Sequence, residues 1–238
     1  MDNIELIRGR LEQIEQRISS ACARCGRKAG DVRLVAVCKK QPVEALQVFL
    51  AEYSSTGRLP ILAENYVQDY RSHKGLLRGD YISHLIGPLQ SNKVRDAVAY
   101  FDVIQSVHNE RIARLVDSEA GKLGKKQKIF LQVNISHDEA KSGFQEAELQ
   151  DFVTSVLPAL KFTEFCGLMT ITRFYDQPEM ARPDFRAMRL LAERLGGRHM
   201  ELSMGMSDDY ETAIEEGATM VRIGSALFGS RLSRPTAA

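Results

Sequence analysis

The chain has 238 residues, with Lys plus Arg at 32 against Asp plus Glu at 31, so no bulk positive field draws it to nucleic acid or anionic lipid. Hydrophobic residues make up 44% and charged residues 26%, the balance of a soluble globular protein, and the length suits one large domain or two small ones. No apolar run reaches the ~20 residues of a membrane span. The start MDNIELIRGRLEQIEQRI carries Asp2, Glu5 and Glu12 and lacks the basic and apolar regions of a signal peptide, so the cytoplasm is the expected compartment.

Ile4, Ile7, Leu11, Ile14 and Ile18 recur at helical spacing, which predicts an amphipathic N-terminal helix over Asn3–Lys28, ended by Gly30 and Asp31. Cys22 and Cys25 form a CxxC within it. No second CxxC or His pair completes a zinc site, and a redox CxxC would follow a strand, so these read as small residues on a helix, with no metal centre.

A rhythm follows. Strands are predicted over Arg33–Lys39, Arg58–Glu64, Tyr81–Gly87, Phe101–Val107, Lys128–Ser136, Phe162–Thr170, His199–Gly205 and Thr219–Ser225. Between them helices are predicted over Pro42–Tyr53, Asn65–Leu77, Gln90–Tyr100, Glu110–Leu123, Glu146–Leu157, Asp184–Leu195 and Asp209–Gly217. Strict alternation implies parallel strands with right-handed crossovers. Eight such units in 238 residues fit a single α/β domain, a closed (β/α)8 TIM barrel with an extra N-terminal helix. An open doubly wound sheet is the competing architecture, but no Gly-rich dinucleotide turn follows the first strand. Residues 230–238 are expected to fray.

In such barrels the chemistry collects at the C-terminal ends of the strands. The first strand ends in Cys38, Lys39 and Lys40. Side chains alternate across a strand, so one lysine points into the mouth and the other toward the helices, and the pattern leaves open which. Glu64, Asn65 and Tyr66 follow the second strand and are placed at the mouth. KSGF (Lys141–Phe144) after the fifth strand could be a plain turn. In SMGMSDD, Gly205 and Ser207 precede a helix starting at Asp208 and Asp209, and in RIGS, Gly224 and Ser225 follow the eighth strand. Glycines and helix N-termini in these two loops suit a phosphate group. Arg222 shares the face of Gly224, where a buried guanidinium needs a ligand or a carboxylate. A lysine, a phosphate cradle and an arginine in one mouth suit a phosphorylated aldehyde held as a Schiff base, of which pyridoxal 5′-phosphate (PLP) is the obvious case.

AVCKKQP, ENYVQD, IGPLQSNK, QVNIS, KSGF, GLMTI, LSMGMSDD and AIEEGATMVRIGSALFG together resemble the pyridoxal-phosphate homeostasis proteins over nearly the whole chain. That family is similar to the barrel domain of alanine racemase without its second domain. The resemblance implies that Lys39 forms the Schiff base and Lys40 is a bystander. It implies that Ser207, Gly224 and Ser225 bind the phosphate, that Met206 is a further cofactor-binding residue, that Arg222 faces the pyridine nitrogen, and that Asn65 lies near the ring. It further implies a cofactor-holding role in PLP (vitamin B6) and amino-acid homeostasis without catalytic turnover, with PLP-dependent apo-enzymes as recipients. Departures are Cys38, Lys40 and Gln41 where the family usually has Ser, Thr and Lys, Ala63 for Gly, and Ser83 for Trp. The alternatives are an amino-acid racemase of the alanine racemase type, which needs a second base, and a phosphosugar barrel enzyme. A monomer or a weak dimer is expected, and Cys38 reads as a buried small residue behind the strand.

Overall fold

The computed structural model describes residues 3–196 and 200–229. Helix α1 (Asn3–Arg24) leads into β1 (Arg33–Val37), α2 (Val43–Ser54), β2 (Ile61–Glu64), α3 (Val67–His73), β3 (Ile82–Leu85), α4 (Val94–Tyr100), β4 (Val103–Val107) and α5 (Glu110–Lys122). The chain continues through β5 (Gln127–Gln132), α6 (Glu146–Asp151), β6 (Thr163–Met169), α7 (Arg182–Gly196), β7 (Glu201–Ser203), α8 (Tyr210–Glu215), β8 (Met220–Ile223) and α9 (Ser225–Phe228). The strands run in the order β1 to β8, all parallel, and β8 returns to pair with β1, Arg222 opposite Val35. The sheet is therefore closed, and the open doubly wound alternative is excluded.

Two apolar layers hold this wall. Leu34, Ala36, Cys38 and Leu62 face outward and join the large core under the helices. Val35, Ile61, Ala63, Ile86, Val103, Phe130, Met169 and Met220 face inward and fill the lumen. Helix α1 lays Ile7, Leu11, Ile14 and Ile18 against the same outer core, with ion pairs from Arg17 and Arg24 to Glu211 and Glu215 of α8 along its edge.

Several boundaries differ from the sequence reading. Helix α1 stops at Arg24 rather than Lys28, because Arg27 N–H turns back to the Cys22 carbonyl at 2.8 Å. Cys22 is buried in the core, and the Cys25 thiol lies 3.3 Å from the Ala21 carbonyl. Strands β1, β3, β5, β6, β7 and β8 end earlier than predicted, since the residues beyond them belong to loops, whereas β2 and β4 end where predicted and start later. The sixth helix is α-helical only to Asp151 and then widens into a π turn over Phe152–Val156 and a tight turn over Leu157–Ala159. Pro158 has no N–H to continue the ladder. Residues 91–93 form a tight turn before α4, and α9 follows β8 where only a tail was expected. His199 of the predicted seventh strand and the tail at 230–238 lie outside the described residues. No helix among the described residues is long and apolar enough to cross a membrane.

Candidate functional site

A cavity of about 480 Å³ opens at the C-terminal ends of the strands. The seven residues that the family resemblance assigns to the cofactor line it, Lys39, Asn65, Met206, Ser207, Arg222, Gly224 and Ser225, joined by Val37, Gln41, Ile86, Ile171 and Asp208.

The lysine question is answered by the two layers. Val35 belongs to the lumen and Val37 packs against it, so the face they share continues to Lys39. Lys39 is half-buried, with Nζ 5.6 Å from the centre of the Tyr66 ring, and among the described residues it makes no ion pair. Cys38 points the other way, into the core, where burial holds its thiol well above the usual range. Lys40 is exposed at φ 59°, in a turn closed by Gln41 N–H to the Cys38 carbonyl at 2.9 Å.

Asn65 follows β2 and presents a buried Oδ1 with no hydrogen-bond partner among the described residues. Its backbone is held by Gly87, where a Cβ would stand 2.1 Å from the Asn65 carbonyl oxygen. An amide fixed in place with its oxygen unpartnered suits a polar ligand.

The β7–α8 loop turns at Gly205, whose φ of 89° and closeness to α8 (a Cβ would meet Ala213 Cβ at 2.6 Å) admit no side chain. Helix α8 starts at Tyr210, one residue later than predicted, and Asp209 caps the loop by accepting from Met206 N–H at 2.7 Å. Ser207 Oγ lies 3.4 Å from Ala226 N, stitching this loop to the first turn of α9. Gly224 and Ser225 thus stand beside Ser207, at a helical turn whose leading N–H groups have no partner within the turn. Asp208 shares the cavity but is exposed to solvent.

Arg222 is 3% exposed and donates from Nη1 to Ser203 Oγ at 2.8 Å and from Nη2 to the Thr170 carbonyl at 2.6 Å. No carboxylate pairs with it among the described residues. Burial pulls its pKa down to about 10, against a smaller upward pull from Asp209, so it stays charged at neutral pH. Its remaining donors and its charge are left for the cavity.

One residue placed at the mouth does not reach it. Glu64 shares the outward face of Leu62, is 1% exposed, and lies behind β2 with Oε1 3.3 Å from His73 Nε2. Three others were not anticipated. Thr170, Ser203 and Gln105 hold Arg222 directly or at one remove. Gln105 is polar in the apolar run VIQSV, and Ser203 sits two before Gly205 on the same face; both signals were present in the pattern. Lys141 donates to the Thr172 carbonyl and lines a neighbouring cavity that shares Ser207.

A closed barrel with Lys39 after β1 and the Ser207 and Gly224–Ser225 loops after β7 and β8 in one mouth defines a class, the barrel of alanine racemase, and the family model described as "Alanine racemase, N-terminal domain" matches residues 10–232. The pyridoxal phosphate homeostasis protein of Escherichia coli (strain K12) is 40% identical over 233 residues, covering 93% of this chain and 95% of that one. That of Aquifex aeolicus is 36% identical over 229 residues, covering 93% and 97%. PipY of Synechococcus elongatus, solved with PLP bound, superposes with a TM-score of 0.74 at 34% identity, over 89% of this chain and 100% of PipY. The chain belongs to the pyridoxal phosphate homeostasis protein family.

Proposed function

We propose that this protein binds PLP in the mouth of the barrel, holds it as a Schiff base on Lys39, and passes it to PLP-dependent apo-enzymes without turning over a substrate. The observation that carries this reading is the placement of an unpaired Lys39 in one cavity with Ser207, Gly224, Ser225 and Arg222. The residues fit the group. Ser207 and the N–H groups at Gly224 and Ser225 suit its phosphate, the free Asn65 Oδ1 suits its polar ring substituents, and Arg222 suits the ring nitrogen. When bound, the cofactor supplies an aldehyde for the amine and an electron-accepting ring.

The choice between holding and catalysis turns on proton positions. A guanidinium donates and does not accept. Arg222 therefore leaves a ring nitrogen unprotonated, which weakens the ring as an electron sink. Racemisation also needs a base on each face of the substrate carbon. Among the described residues, the titratable side chains lining the cavity are Lys39, Asp208 and Arg222. Asp208 lies in the β7–α8 loop beside the phosphate-binding residue Ser207, leaving Lys39 as the base next to the aldehyde. Both points favour a holder over a racemase.

Purified protein titrated with PLP should develop an imine absorption band. Lys39→Ala should lose it and Lys40→Ala should keep it. Alanine incubated with the loaded protein in deuterated buffer should keep its α-hydrogen. A band that survives Lys39→Ala overturns the lysine assignment, and rapid exchange at the α-carbon overturns the non-catalytic reading in favour of the racemase.

A further inference from the structure

Behind Arg222 the lumen contains three polar groups that do not line the cavity. His84 on β3, Gln105 on β4, Ser203 on β7 and Arg222 on β8 are each at most 3% exposed. They form a chain across the barrel. Arg222 Nη1 donates to Ser203 Oγ at 2.8 Å, Ser203 Oγ donates to Gln105 Oε1 at 2.6 Å, and Gln105 Nε2 lies 2.6 Å from His84 Nδ1.

The direction of every link follows from the chemistry of the groups. A guanidinium has donors only, so the Ser203 oxygen accepts from it and spends its own proton on Gln105. With its carbonyl so engaged, Gln105 turns its NH2 to His84. His84 Nδ1 must then accept, which requires a neutral imidazole carrying its proton on Nε2. Burial favours that state, since it pushes the His84 pKa down to about 3, helped by the charge of Arg33. Apolar residues would fill the same space without the cost of desolvating four polar groups.

We infer that Gln105 is a positioning residue: with Ser203 it forms a one-way hydrogen-bonded chain, anchored on His84, that fixes the Arg222 guanidinium and so sets how tightly the site holds an aromatic ring nitrogen. The inference rests on the reading of the mouth as a PLP site. Without the Gln105 carbonyl, the Ser203 proton loses its acceptor, the side chain is free to change rotamer and carry Oγ away from Arg222, and the Thr170 carbonyl is then the anchor that remains fixed. A residue that merely packs the lumen would change stability and leave ligand selectivity alone.

The test uses the full chain, Gln105→Leu and Gln105→Glu. The ligands are PLP and its carbocyclic analogue, in which CH replaces the ring nitrogen. Gln105→Leu should lose about tenfold or more in affinity for PLP, the worth of one hydrogen bond to a charged group, and change about twofold or less for the analogue. Gln105→Glu keeps an acceptor for Ser203 and should retain PLP affinity, with His84 switched to the Nδ1–H tautomer. On the ligand-free protein, 15N NMR should find His84 protonated on Nε2 and the Arg222 N–H signals separately resolved, and Gln105→Leu should average those signals. An equal loss for both ligands, no loss for either, or His84 protonated on Nδ1 in the parent chain overturns the inference. If the parent chain binds neither ligand, the PLP reading fails, and the NMR signals alone decide whether the chain orients Arg222.

Discussion

Glu64→Gln should stabilise the protein, by an amount that grows as pH rises. The Glu64 carboxyl is 1% exposed and neither oxygen has a hydrogen-bond partner among the described residues. Burial, and then the charge of Asp69, push its pKa up to about 8 from an ordinary 4.5, against smaller downward pulls from the Asn65 N–H and Lys39. The folded chain therefore keeps a proton that the unfolded chain releases. The stability tied to that proton is fully present below the unfolded pKa and is lost as pH rises toward the folded one. With these two values the loss between pH 5 and pH 7 is about 2–3 kcal/mol. A glutamine has no proton to lose. Urea unfolding of both proteins at pH 5, 6, 7 and 8 gives the comparison, and the gap between them should widen by about 2–3 kcal/mol from pH 5 to pH 7 at unchanged m-value. Parallel stability curves would refute a buried, protonated Glu64.

Gly87→Ala should weaken PLP binding through Asn65. The new Cβ would stand 2.1 Å from the Asn65 carbonyl oxygen, which demands a shift of about 1 Å, enough to cost a site about tenfold to a hundredfold, with a stability loss of about 1–3 kcal/mol. Titration and thermal unfolding read the two effects, and an unchanged affinity beside a lowered Tm would remove Asn65 from the site. Alkylation of the native protein at pH 7 should spare Cys22 and Cys38, whose thiols burial holds high, and mass spectrometry should find them modified only after unfolding. Fast modification of Cys38 would point to an opening that the fold does not provide.

The barrel was legible because its signal is distributed. Alternating apolar strands and 3.6-residue helices repeat around the chain, so an error at one boundary leaves the count intact. Lys39 was half legible. Alternation put the two lysines on opposite faces, and only the layer to which Val35 belongs says which face is inward. Glu64 was misplaced because sequence nearness to Asn65 suggested the mouth, whereas the pleat turns adjacent residues to opposite sides. Gln105 and Ser203 escaped for another reason. Each is a single polar residue in an apolar run, and its meaning comes from a partner 98 positions away.

Among the described residues, the polar anchors of the cavity all come from one arc of the barrel. Lys39 follows β1, Asn65 follows β2, Ser207 follows β7, and Arg222 to Ser225 end β8, and these four strands are contiguous through the β1–β8 pairing. The opposite arc contributes Ile86 and Ile171, which offer surface but no hydrogen bond. A ligand gripped from one side of an open mouth can leave once the amine lets go, with no strand or helix required to move. Firm orientation on one arc and free exit past the other are the properties that holding and handing on a reactive aldehyde require. A racemase needs the second arc to carry a base. The apolar far side and the Gln105-braced arginine thus point the same way, toward retention of the cofactor rather than chemistry upon it.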